Sequence, residues 1–255
     1  MIHLPSQRAR KDCHQSRPDC PQTAAEIRCK SGKEAWEKVS QHGFAILESG
    51  FSSEYLERFH QHLCCLDVQA RHHQRQPYDG THVSMNGHPL LDYKMYEEIF
   101  TCGDLCDALD LLAPNWTIGT RGGDKVKAGS QSHQLLHSDW PEYSTRSMKK
   151  GFALAVSLAV HDVPSHRAAI RVVPWSAPGW TELDDDGTYA DCIGGMRQGF
   201  YAEMLAGDIL IRDVRAAHAG SANHASQDRV LPGVQIYHPW TWVSDGNEKA
   251  AKNEK

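Results

Sequence analysis

His137 and Asp139 stand two apart in the run Gln134-Leu135-Leu136-His137-Ser138-Asp139-Trp140. Side chains at i and i+2 of a strand share a face, so as a strand this run projects an imidazole and a carboxylate into one space. Such a pair supplies two ligands of the 2-His-1-carboxylate facial triad, which leaves open positions on a non-haem Fe(II). By itself a His-x-Asp triplet says little in a chain with 16 histidines. A second run, Gly207 to His218 followed by Gly220, Asn223 and Arg229, offers a third ligand in His218 and a guanidinium eleven residues later. Arginine carries a planar, permanently charged fork, so a dicarboxylate chelating the metal by one end would rest its far end on Arg229. Two other classes fit the same residues. Zinc also takes three protein ligands plus water, which would give a hydrolase or lyase, and a catalytically silent binding protein could keep the fold.

Those two runs need elements that bring them together. Lys33 to His42 has helical character and stops at Gly43, a good left-handed cap. Phe44-Ala45-Ile46-Leu47 reads as a buried strand. Ser52 or Ser53 caps the next helix, in which Tyr55, Leu56, Phe59, Leu63 and Leu66 recur at helical spacing. A further helical region places Leu105, Leu109 and Leu112 on one face. After Pro114 the pattern turns to short β-like runs near 115–120, 133–140, 152–161, 169–174, 207–213 and 229–238. Helices followed by many short strands predict a mainly β fold with flanking α-helices, an antiparallel sandwich or jelly roll. Gly207 to Tyr237 reads as a hairpin, with His218 closing its first strand and Arg229 opening its second. Residues 1–30 and 244–255 are polar tails around a single domain, 31–243, and Cys13, Cys20 and Cys29 match no zinc-finger spacing.

Composition narrows the partners. A formal charge of −5 argues against nucleic acid and anionic membrane surfaces. No apolar run approaches the roughly 20 residues of a membrane span, and the first residues lack a secretory core. The eight cysteines follow no disulfide framework, so they read as reduced thiols in a cytoplasmic protein. The partner expected is a small-molecule substrate. Oligomeric state is not legible.

The runs Gln134-x-x-His137-x-Asp139-Trp140 and Gly207-Asp208 through His218-x-Gly220-x-x-Asn223 to Arg229 resemble the phytanoyl-CoA dioxygenase-like family of Fe(II)/2-oxoglutarate oxygenases. The resemblance covers roughly residues 33–240. It implies a double-stranded β-helix (a cupin-like jelly roll), with Fe(II), 2-oxoglutarate as cosubstrate and O2. It implies His137, Asp139 and His218 as iron ligands and Arg229 on the distal carboxylate of 2-oxoglutarate. Gln134 would contact the cosubstrate, and Lys127 matches a family lysine near it. The family often has an Asn-Gly-Ala-Thr-like turn before Pro-Gly-Ser-His. Here that stretch is Arg167 to Ala177, with Ala168 and Trp175 at the glycine positions and Ile170 at a hydroxyl position. Arg146, Lys149 and Lys150 are too few to mark a CoA pocket.

Overall fold

The computed structural model describes residues 21–66, 80–134, 136–137, 139, 153–174 and 199–237. Outside them lie Cys13, Cys20, most of loop 68–90, Trp140, Arg146 to Lys150, Trp175, the polar insert at 181–198 and the C-terminal tail.

Two helices form where the sequence places them. Helix α1, Gly32–His42, starts at Ser31, whose side chain accepts from the Glu34 N–H, and ends at Gly43 with φ 83°. Helix α2, Ser53–Cys64, is capped by Ser52 accepting from Tyr55 N–H and buries Tyr55, Leu56, Phe59 and Leu63. Short α3, Tyr93–Glu98, and α4, Gly103–Leu112, complete the helical layer, with α4 packed on α1.

The strands are β1 (Arg28–Cys29), β2 (Phe44–Leu47), β3 (His82–Ser84), β4 (Thr117–Val126), β5 (Ala153–Leu158), β6 (Ile170–Val172), β7 (Phe200–Ala202), β8 (Ile209–Asp213), β9 (His218–Ala219) and β10 (Arg229–Tyr237). Seven form one sheet in the order β1-β2-β8-β5-β10-β4-β3, and three form a second in the order β7-β6-β9. Among the described residues, only β1 and β2 pair in parallel. This is a jelly roll with helices outside. Alternation along the strands explains the layering. Ile209 and Ile211 of β8, with Leu154, Val156, Val234 and Ile236, pack beneath the helices. Leu210, Phe44, Ile46 and Leu231 face the small sheet, against Ile170, Val172 and Ala202.

Four expectations are corrected. The 133–140 run is not a strand; among its described residues only His137 makes a bridge, to His218. Gln134 N–H bonds to Gly220 O, so three steps to His137 face two steps to His218, and a regular ladder cannot form. The 207–237 segment is not a hairpin. Strand β8 sits between β2 and β5, β9 joins the small sheet and β10 lies between β5 and β4, so the chain crosses between sheets. Strand β4 runs past 120 to Val126, because β10 offers it a partner along its length through Gly122 and Gly123. The N-terminal tail does not extend to residue 30. Ile27 and Cys29 are buried at 0% and 4% exposure, and Arg28 pairs with Asp208 at 2.5 Å, so the approach to α1 belongs to the core.

Candidate metal centre

His137, Asp139 and His218 meet although they come from different local structures. His137 sits on the isolated bridge and His218 on β9, and each N–H reaches the other's carbonyl at 2.9 Å. Their rings lie 4.5 Å apart between centroids. Asp139 is in no ladder, but its N–H bonds to Val214 O at 3.0 Å. The Asp139 Oδ1 atom lies 3.4 Å from His218 Nε2 and 3.8 Å from His137 Nε2. One ligand atom from each of the three falls within 4.8 Å of the others, close enough to converge on one ion. Two imidazoles and a carboxylate are the donor set of a non-haem iron site, with room left for exogenous ligands. His218 is oriented for it. Its Nδ1 lies 3.0 Å from Ala216 O and 3.1 Å from Arg212 Nη1; a metal on Nε2 requires the proton on Nδ1, where the Ala216 carbonyl can accept it.

Burial alone would raise the Asp139 carboxyl. The Arg212 guanidinium, at 2.8 Å, and the two imidazoles outweigh that and hold it well below the usual carboxylate range. The carboxylate is therefore ionised and ready to bind a cation.

The three residues stand on the wall of a cavity of about 330 Å3, with Gln134, Arg212, Ser84, Asn86, Asp124, Ser157 and Gln235 also lining it. Gln134 accepts from Gly220 N–H through Oε1 at 2.7 Å, which leaves its amide NH2 as the group available to a ligand. Gly220 permits this approach, since a Cβ there would stand 2.9 Å from that oxygen.

Arg229 lies behind the cavity wall. It is fully buried and is not part of the cavity surface. Its Nε donates to Ala168 O at 3.2 Å and its Nη1 to Asp124 Oδ2 at 2.6 Å. Its Nη2 is buried and finds no acceptor among the described residues. An orphaned, charged donor beside a cavity-lining carboxylate suits an anionic ligand reaching in past Asp124. Lys127 is not brought to the site. Its residue is exposed and outside the cavity lining, and its backbone N–H bonds to Thr81 O.

The sequence reading did not single out Arg212 or Asp124. A signal for Arg212 was present: a charge following Ile209-Leu210-Ile211 in a buried strand needs a partner. Asp124 gave none, since its role depends on β4 continuing past residue 120.

A family model for phytanoyl-CoA dioxygenase (PhyH) matches residues 39–231. No curated protein matches the chain at a significant level. Among solved structures, the fold is similar to HygX from Streptomyces hygroscopicus, with nickel and 2-oxoglutarate bound. That match has a TM-score of 0.62 and 14% identity, covering 82% of this chain and 87% of that one. The epimerase SnoN, in complex with Fe3+, alpha ketoglutarate and nogalamycin RO, aligns at a TM-score of 0.61 and 16% identity, covering 81% and 83%. EctD from S. alaskensis, in its apoform, gives 0.62 and 14%, covering 80% and 75%. At these identities the three establish the shared fold.

Proposed function

The chain belongs to the phytanoyl-CoA dioxygenase family, and on that premise we propose that it is an Fe(II)- and 2-oxoglutarate-dependent dioxygenase that hydroxylates a small molecule. The convergence of His137, Asp139 and His218 on one cavity wall carries the reading. Bound there, Fe(II) and 2-oxoglutarate would supply the oxidising chemistry, with O2 consumed and succinate and CO2 released as one oxygen atom goes to the substrate.

The protein's own part is to hold and to orient. His137, His218 and Asp139 would hold the metal. The Ala216 carbonyl would accept the Nδ1 proton of His218 in the tautomer that binds it. The Gln134 amide and the orphaned Nη2 of Arg229 are the donors that would fix the two ends of 2-oxoglutarate. Lys127 takes no part in this arrangement. The substrate enters the remaining polar space between Ser84, Asn86 and Gln235.

Five free thiols among the described residues, two of them exposed, suit a reducing compartment, and we place the reaction in the cytoplasm. Among the described residues, no helix is long and apolar enough to cross a membrane.

The test is O2 uptake and succinate release by the purified protein with Fe(II), 2-oxoglutarate and a panel of small polar compounds. Both should require 2-oxoglutarate and vanish in His218→Ala. Turnover that needs zinc and neither O2 nor 2-oxoglutarate would make the site a hydrolase instead.

A further inference from the structure

We propose that Arg212 is a positioning residue of the metal centre, holding Asp139 by its outer oxygen so that the inner one faces the two imidazoles. The inference rests on the reading of His137, Asp139 and His218 as one metal site.

Arg212 lies on β8 at the middle of the large sheet, paired with Phe44 on one side and Ala155 on the other. Its neighbours Ile209, Leu210 and Ile211 are buried and apolar, and its own side chain is 10% exposed. A guanidinium in such a place is costly unless it is paired. It has two partners: Nη1 stands 2.8 Å from Asp139 Oδ2 and 3.1 Å from His218 Nδ1. The opposite oxygen, Oδ1, is the one that lies 3.4 Å and 3.8 Å from the Nε2 atoms of His218 and His137. The ion pair thus divides the carboxylate into a held oxygen and a presented one.

Asp139 needs that support because it is not in a ladder. Its backbone is tied to the chain just beyond β8 by the bond to Val214 O, and Arg212 supplies the second tether from β8 itself. Two tethers, one to β8 and one to the residue just past its end, fix both the position of the residue and the rotation of its carboxylate. With the second removed, the carboxylate can turn and offer either oxygen, or both, to a metal.

Co(II) titration of the full-length, metal-stripped protein tests this, with Arg212→Met and Arg212→Lys checked for native fold by circular dichroism and melting. Loss of an outer partner of a metal ligand typically costs about 10- to 100-fold in metal affinity. Arg212→Met should lose affinity in that range and shift the Co(II) absorption spectrum, which reports ligand geometry. Arg212→Lys, able to donate one bond to Oδ2, should recover part of both. Charge alone makes the opposite prediction, since removing a cation beside a divalent ion favours the ion. Equal or tighter Co(II) binding in Arg212→Met, with an unchanged spectrum, overturns the inference. If Arg212→Met does not fold, wild-type affinity and spectrum in Arg212→Gln overturn it equally. Failure of the wild type to bind Co(II) overturns both the metal site and this inference, whereas wild-type binding matched by the variants overturns only the latter.

Discussion

His137 and His218 are an antiparallel pair, each backbone N–H lying 2.9 Å from the other's carbonyl oxygen. The two imidazoles of the candidate site are therefore joined through the main chain before any metal arrives. What binds both rings also ties β9 to the segment that carries Asp139. Metal should then stabilise the fold. A ligand at 100 times its Kd adds about 2.7 kcal/mol, or on the order of 5–10 °C in Tm for a domain of this size. Differential scanning fluorimetry with Fe(II) or Co(II) under nitrogen should show that rise in the wild type and none in His137→Ala or His218→Ala.

Arg229 should govern cosubstrate more than metal. Its Nη1 is taken by Asp124 at 2.6 Å, and only Nη2 is left to a ligand. Arg229→Lys keeps a charge against Asp124 but loses the fork. We expect metal affinity within about threefold of wild type and 2-oxoglutarate affinity lower by on the order of 30-fold or more. Asp124→Asn should move cosubstrate affinity the other way, by removing a carboxylate that competes for the same guanidinium. Anaerobic calorimetry measures both; equal 2-oxoglutarate binding in all three proteins would place the distal carboxylate elsewhere.

Ala168 holds a left-handed backbone, φ 55°, where the resemblance expects glycine. Its carbonyl accepts from Arg229 Nε at 3.2 Å, so the turn is kept despite the Cβ. A non-glycine residue there costs about 1–2 kcal/mol, partly offset by the greater freedom of glycine in the unfolded chain. Ala168→Gly should gain about 0.5–1 kcal/mol in urea denaturation, with cosubstrate affinity unchanged.

His161 gives a pH dependence that can be signed. Its Nδ1–H donates to Asp162 O at 2.7 Å and its Nε2 accepts from Val230 N–H at 3.0 Å, so the neutral ring is the one that fits. Burial, with Arg167, His60 and Arg229 nearby, pushes its pKa down to about 4 from 6.5, against the opposing bond to Asp162. Between those values the unfolded chain binds the extra proton. The contribution of His161 is therefore complete above about pH 6.5 and is lost as pH falls toward 4, on the order of 1–3 kcal/mol in all. His161→Gln keeps an acceptor and cannot titrate. Its stability should fall less steeply than that of the wild type across that window, and parallel curves would count against the assignment.

How much of this was legible depended on how local the cause was. The end of α1 is written in Gly43, the start of α2 in Ser52, and strand β2 in four consecutive apolar residues. His137, Asp139 and His218 were legible because their residue types and the i, i+2 spacing survive even without the strand that the spacing suggested. The strand itself failed because the uneven register of Gln134 and His137 against Gly220 and His218 depends on the partner, not on the run. The hairpin failed for a related reason: alternation shows which side of a strand is buried, but not which sheet receives it. Arg229 was legible as a residue, while its seal behind Asp124 required the pairing of β4 with β10.

The contact between Gly220 and Gln134 has a consequence for how this sequence can drift. The first carbon of any side chain at 220 would press on the Gln134 amide at 2.9 Å and on His82 Cε1 at 3.1 Å. The glutamine is the softer of the two, so it would swing away and give up its bond to the Gly220 N–H. A larger residue at 220 therefore becomes tolerable only alongside a shorter one at 134. Positions 86 residues apart are bound to change as a pair, and relatives that keep the three metal ligands but alter Gln134 should be those freed from glycine at 220.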